Sequence, residues 1–245
     1  MSPRITLAVA GRVLRQVRRD HRTLAMLLVV PCLLITLLWW MFDDLPGDTF
    51  DRLGPALLAM FPFIVMFLVT SVTTLRERSS GTLERLLAMP MGKLDFLFGY
   101  AIAFGLVAAV QSAAAVALSV GLLDLTIQGP VWLLGVVAVV DAVLGTALGL
   151  LVSAFATTEF QAVQFMPAVV LPQILLCGLF VPRPAMPGVL EAISNVLPLS
   201  YAVDAMQELV GAARTAEVWQ DVLVVAVFAV AALVLGAATL RRRTP

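Results

Sequence analysis

Six apolar runs, each near the length of a bilayer-crossing helix, set the limits on what this chain can become. They lie at about 24–42, 53–75, 94–123, 131–156, 163–181 and 221–240. A helix needs roughly 20 consecutive apolar residues to cross the hydrocarbon of a membrane. Charged residues make up 13% of the 245-residue chain, against about 25% in a soluble domain. Mean hydropathy is +1.00. The expected fold is an all-α membrane protein with six transmembrane helices, organised as a single domain over residues 1–245.

The segments between the runs supply an orientation. With the N-terminus in the cytoplasm, Arg4, Arg12, Arg15, Arg18, Arg19, Arg22, Arg76, Arg78, Arg85, Lys93, Arg241, Arg242 and Arg243 are all cytoplasmic, which is 13 of the 16 basic residues. Arg52, Arg183 and Arg214 remain outside. Basic residues are retained on the cytoplasmic side of a membrane, so both termini are expected there. Asp43, Asp44, Asp48 and Asp51 crowd the first outer loop, and all four tryptophans fall at outer ends of runs, where an amphipathic ring is favoured. These features indicate a multi-pass protein of the cell membrane.

Residues 1–22 combine six arginines with Ile5, Val9, Val13 and Val17, which recur every four residues. That spacing suits an interfacial helix lying on the membrane with its arginines near anionic headgroups. A cleaved signal peptide is disfavoured, because the following run is too long and no small-residue cleavage site precedes Asp43. Residues 76–93 form a charged island. Gly81 is expected to break the preceding helix, Thr82 to cap a short new one, and Pro90 to stop it. Leu83, Leu86 and Leu87 share one stripe of that helix, with Glu84 and Arg85 beside it. Residues 182–220 are too broken by Pro182, Pro184, Pro187 and Pro198 to span, and read as two short outer helices, re-entrant or surface-bound.

Chemistry of other kinds has little to work with. A P-loop needs Gly-x-x-x-x-Gly-Lys-(Ser/Thr), whose amides cradle phosphate. In the sole Gly-Lys pair, Gly92-Lys93, residue 87 is leucine and Leu94 follows the lysine. Two cysteines, Cys32 and Cys177, and a single His21 give no disulfide framework, and a multi-histidine metal centre is excluded. No catalytic, cofactor-binding or metal-binding residue is assigned, and the chain is not read as an enzyme. Inside the runs, Asp141 is the conspicuous charge, and intramembrane charge is a functional suspect. Gly145 and Gly149 share its helix face, which turns Asp141 toward the bundle. Asp141 then either lines a substrate path or bonds a neighbouring helix. Gln111, Ala115 and Ser119 form a similar face on the third run, and Gln173 stands beside Pro172 on the fifth. Gln111, Asp141 and Gln173 are the candidate path residues. Phe61, Phe63 and Phe67 read as a face toward lipid or a neighbouring subunit.

Two strings carry a resemblance. Arg76 to Pro90 resembles the first cytoplasmic loop of ABC-2 type transporter permeases, roughly (Arg/Glu)-Glu-Arg-x-x-Gly-Thr-Leu-Glu-x-Leu-x-x-x-Pro, and Pro198 to Ala205 resembles their outer Pro-Leu-(Ser/Thr)-Tyr-Ala-x-(Asp/Glu)-Ala string. The similarity is nearest to the membrane subunit of daunorubicin-type drug exporters. It implies a coupling helix that docks on a separate P-loop ATPase through Arg76, Glu77, Arg78, Gly81, Thr82, Leu83, Glu84, Arg85 and Leu86. It also implies a second permease protomer, ATP and magnesium held by the ATPase, and export of a drug-like, lipid or natural-product cargo. The rival class is an ion-coupled secondary transporter or channel that uses Asp141, although such a relay normally needs several ionisable groups.

Overall fold

Pro3 opens the first helix, where its missing N–H is no loss. In a computed structural model describing residues 2–43, 49–79, 92–211 and 215–239, helix α1 runs Pro3–Arg19. A single residue, Asp20, separates it from α2 (His21–Asp43). The Asp20 carboxylate accepts from the Thr23 hydroxyl at 2.6 Å and the Thr23 amide at 3.1 Å, which caps α2 and holds the Asp20 carboxyl below its ordinary value. Then come α3 (Thr49–Ser79), α4 (Lys93–Gly121), α5 (Val131–Ser153) and α6 (Glu159–Leu176). A 3-10 turn (Arg183–Ala185), α7 (Gly188–Ser194), α8 (Pro198–Gly211) and α9 (Thr215–Thr239) complete the described residues, among which there is no strand.

Six of these helices are long and apolar enough to cross a membrane: His21–Phe42, Thr49–Glu77, Phe98–Gly121, Val131–Ser153, Glu159–Leu176 and Thr215–Gly236. The protein is a multi-pass helical membrane protein. The expected pair of short helices within 182–220 is present as α7 and α8. Several boundaries moved, among them both ends of α3, and for two of them the local cause is visible. Helix α6 starts four residues before the apolar run, because the Thr158 side chain accepts from the Gln161 amide at 3.1 Å. Helix α9 starts six residues early, since Glu217 and Asp221 lie in its first two turns rather than in a loop. The island between residues 80 and 91 lies outside the described residues.

Helices α3 and α5 form the centre, and α2 and α6 are the least buried spans. Gly145 and Gly149 make the central crossing possible. A Cβ on Gly145 would stand 2.4 Å from the Phe63 carbonyl oxygen, and one on Gly149 2.5 Å from that of Phe67. With no side chain between them the two backbones touch, as small residues allow in membrane bundles. Phe63 and Phe67 are consequently fully buried in the main core, and Phe61 packs against it. This corrects the outward face expected for the three phenylalanines. Spacing alone does not say which side of an all-apolar helix meets glycine.

The valine stripe of α1 also meets protein. Val9, Val13 and Val17 are buried with Phe96, Tyr100 and Phe104 of α4, and Val9 fills the space that a side chain on Gly99 would need. Burying a valine contributes roughly 1.5 kcal/mol or more where water is the alternative. Arg4, Arg15, Arg18, Arg19 and Arg22 stay exposed on the remaining surface. The expected N-terminal helix is present, and its apolar stripe is occupied by α4.

Candidate functional site

Three polar places stand out, two at opposite ends of the bundle and one inside it. At the α1 end, the two stems of the undescribed island are tied to other helices. Arg76, near the C-terminus of α3, grips Glu159 at the first residue of α6 with both arms of its guanidinium, at 2.8 and 2.9 Å. Its neighbour Glu77 is buried and accepts from Arg12 of α1 at 3.3 Å. On the other stem, the buried Asp95 accepts from the Ser2 amide at 2.8 Å, the Thr6 hydroxyl at 3.1 Å and the Gly92 amide at 3.1 Å. Burial works against charge on Asp95, but these hydrogen bonds outweigh it and the carboxyl sits below its ordinary value. Helix α1 therefore bridges both stems. Of the expected docking residues, Arg76 and Glu77 are seen in these bonds, and Arg78 lies on the last turn of α3. Gly81, Thr82, Leu83, Glu84, Arg85 and Leu86 lie outside the described residues.

Inside the bundle, Asp141 of α5 is fully buried, and neither carboxyl oxygen has a hydrogen-bond partner among the described residues. Gln111 of α4 is buried with both amide atoms unpartnered, as is the Ser119 hydroxyl. Ser112 donates to the Ala138 carbonyl at 3.0 Å, one helical turn from Asp141. No hydrogen bond joins Gln111 to Asp141. Gln173 has a different position. Its amide nitrogen donates to its own helix at Val169, 3.1 Å away, and its oxygen accepts from the Leu199 amide at 3.4 Å. It fastens α6 to α8.

At the opposite end, Arg183 is the hub. It donates to the Asp204 carboxylate and to the Asn195 side chain, and its guanidinium lies 4.9 Å from the Tyr201 ring centroid. The Tyr201 hydroxyl donates to the Asn195 carbonyl at 2.7 Å. Gly178, at φ +95°, takes the left-handed turn that ends α6, and a Cβ added there would stand 3.6 Å from the Arg183 side chain. Ser194 donates to the Leu176 carbonyl at 2.8 Å.

The sequence pattern of the "ABC-2 type transporter" family matches residues 5–210. The chain belongs to the ABC-2 type transporter family. It is 28% identical over 185 residues to ABC transporter G family member 20 of Dictyostelium discoideum, covering 74% of this chain and 25% of that one. It is 28% identical over 155 residues to the probable multidrug ABC transporter permease YbhR of Escherichia coli, covering 63% and 42%. Identity to the inner membrane transport permease YhhJ of Escherichia coli is 30% over 149 residues, covering 60% and 39%. The chain thus spans less than half the length of each of these relatives.

Within this ABC-2 chain the outer string acquires a physical reason. Tyr201 and Asp204 are its aromatic and acidic positions, they lie one turn apart on α8, and both hold Arg183. In the sequence alone Arg183 counts only toward orientation. A lone arginine between two prolines, ahead of an acidic residue in a family string, was the signal available. Four residues on, Glu208 meets Glu217 and Asp221 of α9. Burial, a hydrogen bond that the protonated Glu208 donates to Glu217, and the charges of Asp221, Glu217 and Asp204 push the Glu208 carboxyl up to about 7. Between pH 4.5 and about 7 the folded protein therefore holds a proton that the unfolded chain has already released. This group supports folding at the low end of the window, loses that support as pH rises through it, and is flat above. Thermal midpoints in detergent should fall across this range, and Glu208→Gln should flatten the fall.

Proposed function

We propose that this chain is the membrane-spanning subunit of an ATP-driven exporter, which moves a drug-like, lipid or natural-product cargo out of the cell. A separate P-loop ATPase, carrying ATP and magnesium, drives it, and a second permease protomer completes the path. The observation that carries this reading is the string Arg76 to Pro90. Its stems are gathered with α1, α3, α4 and α6 at one end of a six-span bundle, and the chain has no nucleotide-binding loop of its own. Basic residues support a cytoplasmic position for that end, where an ATPase is found.

The cargo path runs between protomers in this reading, and Gln111 and Asp141, buried within one protomer, meet cargo when the helices around them part. Both hold unmet hydrogen-bonding capacity at membrane depth, where such groups are costly unless used. Gln173, bonded to the Val169 carbonyl and the Leu199 amide, joins α6 to α8 beside that path. Asp141→Asn should lower export of a cationic dye about tenfold, the scale of one charged hydrogen bond, and leave a neutral dye unchanged. Equal loss for both dyes would assign Asp141 to packing.

Purification of the chain from its native membrane in mild detergent, followed by mass spectrometry, tests the main reading. A stoichiometric P-loop ATPase is expected. Its absence, even after crosslinking through E84C, would overturn the reading. The rival, an ion-driven carrier, is favoured by the unpartnered Asp141 alone. It predicts uptake or efflux in vesicles that follows a proton gradient without ATP.

A further inference from the structure

Helix α6 is among the least buried spans of the bundle, with Ala162, Val170 and Gln173 its buried residues. It is instead held at its two ends. At the α1 end the forked Arg76–Glu159 pair joins its first residue to the last turns of α3. At the other end the Leu176 carbonyl accepts from Ser194 at 2.8 Å and from Ser200 at 3.4 Å, and Gln173 accepts from the Leu199 amide. Between these attachments, Pro167 and Pro172 remove two backbone hydrogen bonds, which lets the helix bend.

An exposed ion pair contributes little to stability. A two-armed guanidinium–carboxylate fork does fix distance and direction, and that is the property left for this pair to supply. The arginine concerned is one that the family string would assign to docking. Here its guanidinium is bonded to α6 of its own chain.

We infer that Arg76 and Glu159 are positioning residues that tie α6 to the stem of the ATPase-facing loop, so that α6 carries displacement of that stem to the outer helices α7 and α8. This rests on the exporter reading above and names a route within it. When the α3 end shifts, the fork draws the start of α6 with it. The attachments at Leu176 and Gln173 then pass the movement to the segment that Arg183 organises.

The test uses the permease–ATPase complex in a Cys32→Ala, Cys177→Ala background carrying V196C. Val196 is exposed in the link between α7 and α8. The rate at which a membrane-impermeant maleimide labels this position is measured with and without ATP and vanadate. Nucleotide should change the rate in the parent complex. Arg76→Glu and Glu159→Arg should each shrink that change about fivefold or more, the lower range of a coupling between sites. The ATPase should still co-purify with both, and the double reversal should restore the response. Where a reversal lowers the yield of permease, Arg76→Gln and Glu159→Gln carry the same test without repulsion. A response that survives the single changes, or is absent in the parent complex, overturns the inference. So does failure of the double reversal to restore it. Loss of the ATPase from Arg76→Glu but not Glu159→Arg makes Arg76 a docking residue and also overturns it. Absence of the ATPase from the parent complex is the separate failure of the exporter reading.

Discussion

Gly145→Leu and Gly149→Leu are each expected to abolish recovery of folded protein from the membrane. The carbonyl oxygens of Phe63 and Phe67 stand where the first side-chain carbon would go, at 2.4 and 2.5 Å. Backbone cannot rotate aside as a side chain can, so α3 and α5 must separate. Even Gly145→Ala should cost about 1–3 kcal/mol, the usual scale of overpacking, and leucine adds bulk along the whole crossing. Phe63, Phe67, Leu134 and Leu144 share the core that would be opened. Gly135→Ala is the control, because nothing lies within 4 Å of a Cβ at that position of the same helix. Yield of monodisperse protein and its thermal midpoint in detergent report the outcome. A leucine variant with parental values would mean that the helices do not cross at these glycines.

The second large effect is expected at Arg183. Its side chain is 12% exposed and that of Asp204 31%. Arg183→Ala removes partners from Asp204 and Asn195 and a cation from the face of Tyr201. Breaking a buried pair costs about 3–5 kcal/mol because one charge is stranded, and partial exposure here reduces the figure to about 2 kcal/mol. Burial already pushes the Asp204 carboxyl up against the opposing pull of Arg183, so without the arginine it rises further. The Arg183→Ala protein should therefore be least stable at neutral pH and recover part of the loss as pH falls and Asp204 takes up a proton. Asp204→Asn in the same background should remove that pH dependence. Equal thermal midpoints for parent and Arg183→Ala at pH 7 would sink this account.

The six spans were legible because length and apolarity suffice to mark a helix that crosses lipid. Partner choice was not. The phenylalanines of α3 and the valines of α1 had the right periodicity, but a stripe pattern is the same whether lipid or another helix covers it. What reveals the partner is a glycine on the opposing helix, Gly145 for Phe63 and Gly99 for Val9, and sequence alone does not pair them. Asp141 was read correctly as facing inward, since its own helix carries the small residues that mark the interior. Gln173 was open to two readings, cargo contact or helix packing. A polar residue beside a proline inside a span looks like a cargo contact, and its acceptance of the Leu199 amide depends on where α8 returns. The ion pairs were out of reach altogether, because Arg76 and Glu159 are 83 residues apart.

The contact between α1 and α4 has a bearing on the order in which the molecule is assembled. Thr6 and Asp95 are separated by 89 residues, and chains emerge from the ribosome N-terminus first. Helix α1 is therefore complete while its partner has not yet been made. In that interval its valine stripe lacks the Phe96, Tyr100 and Phe104 side chains that cover it in the finished fold. The first helix to be made is therefore completed only by a later one, and the space that Gly99 leaves for Val9 is filled only after residue 99 has been added.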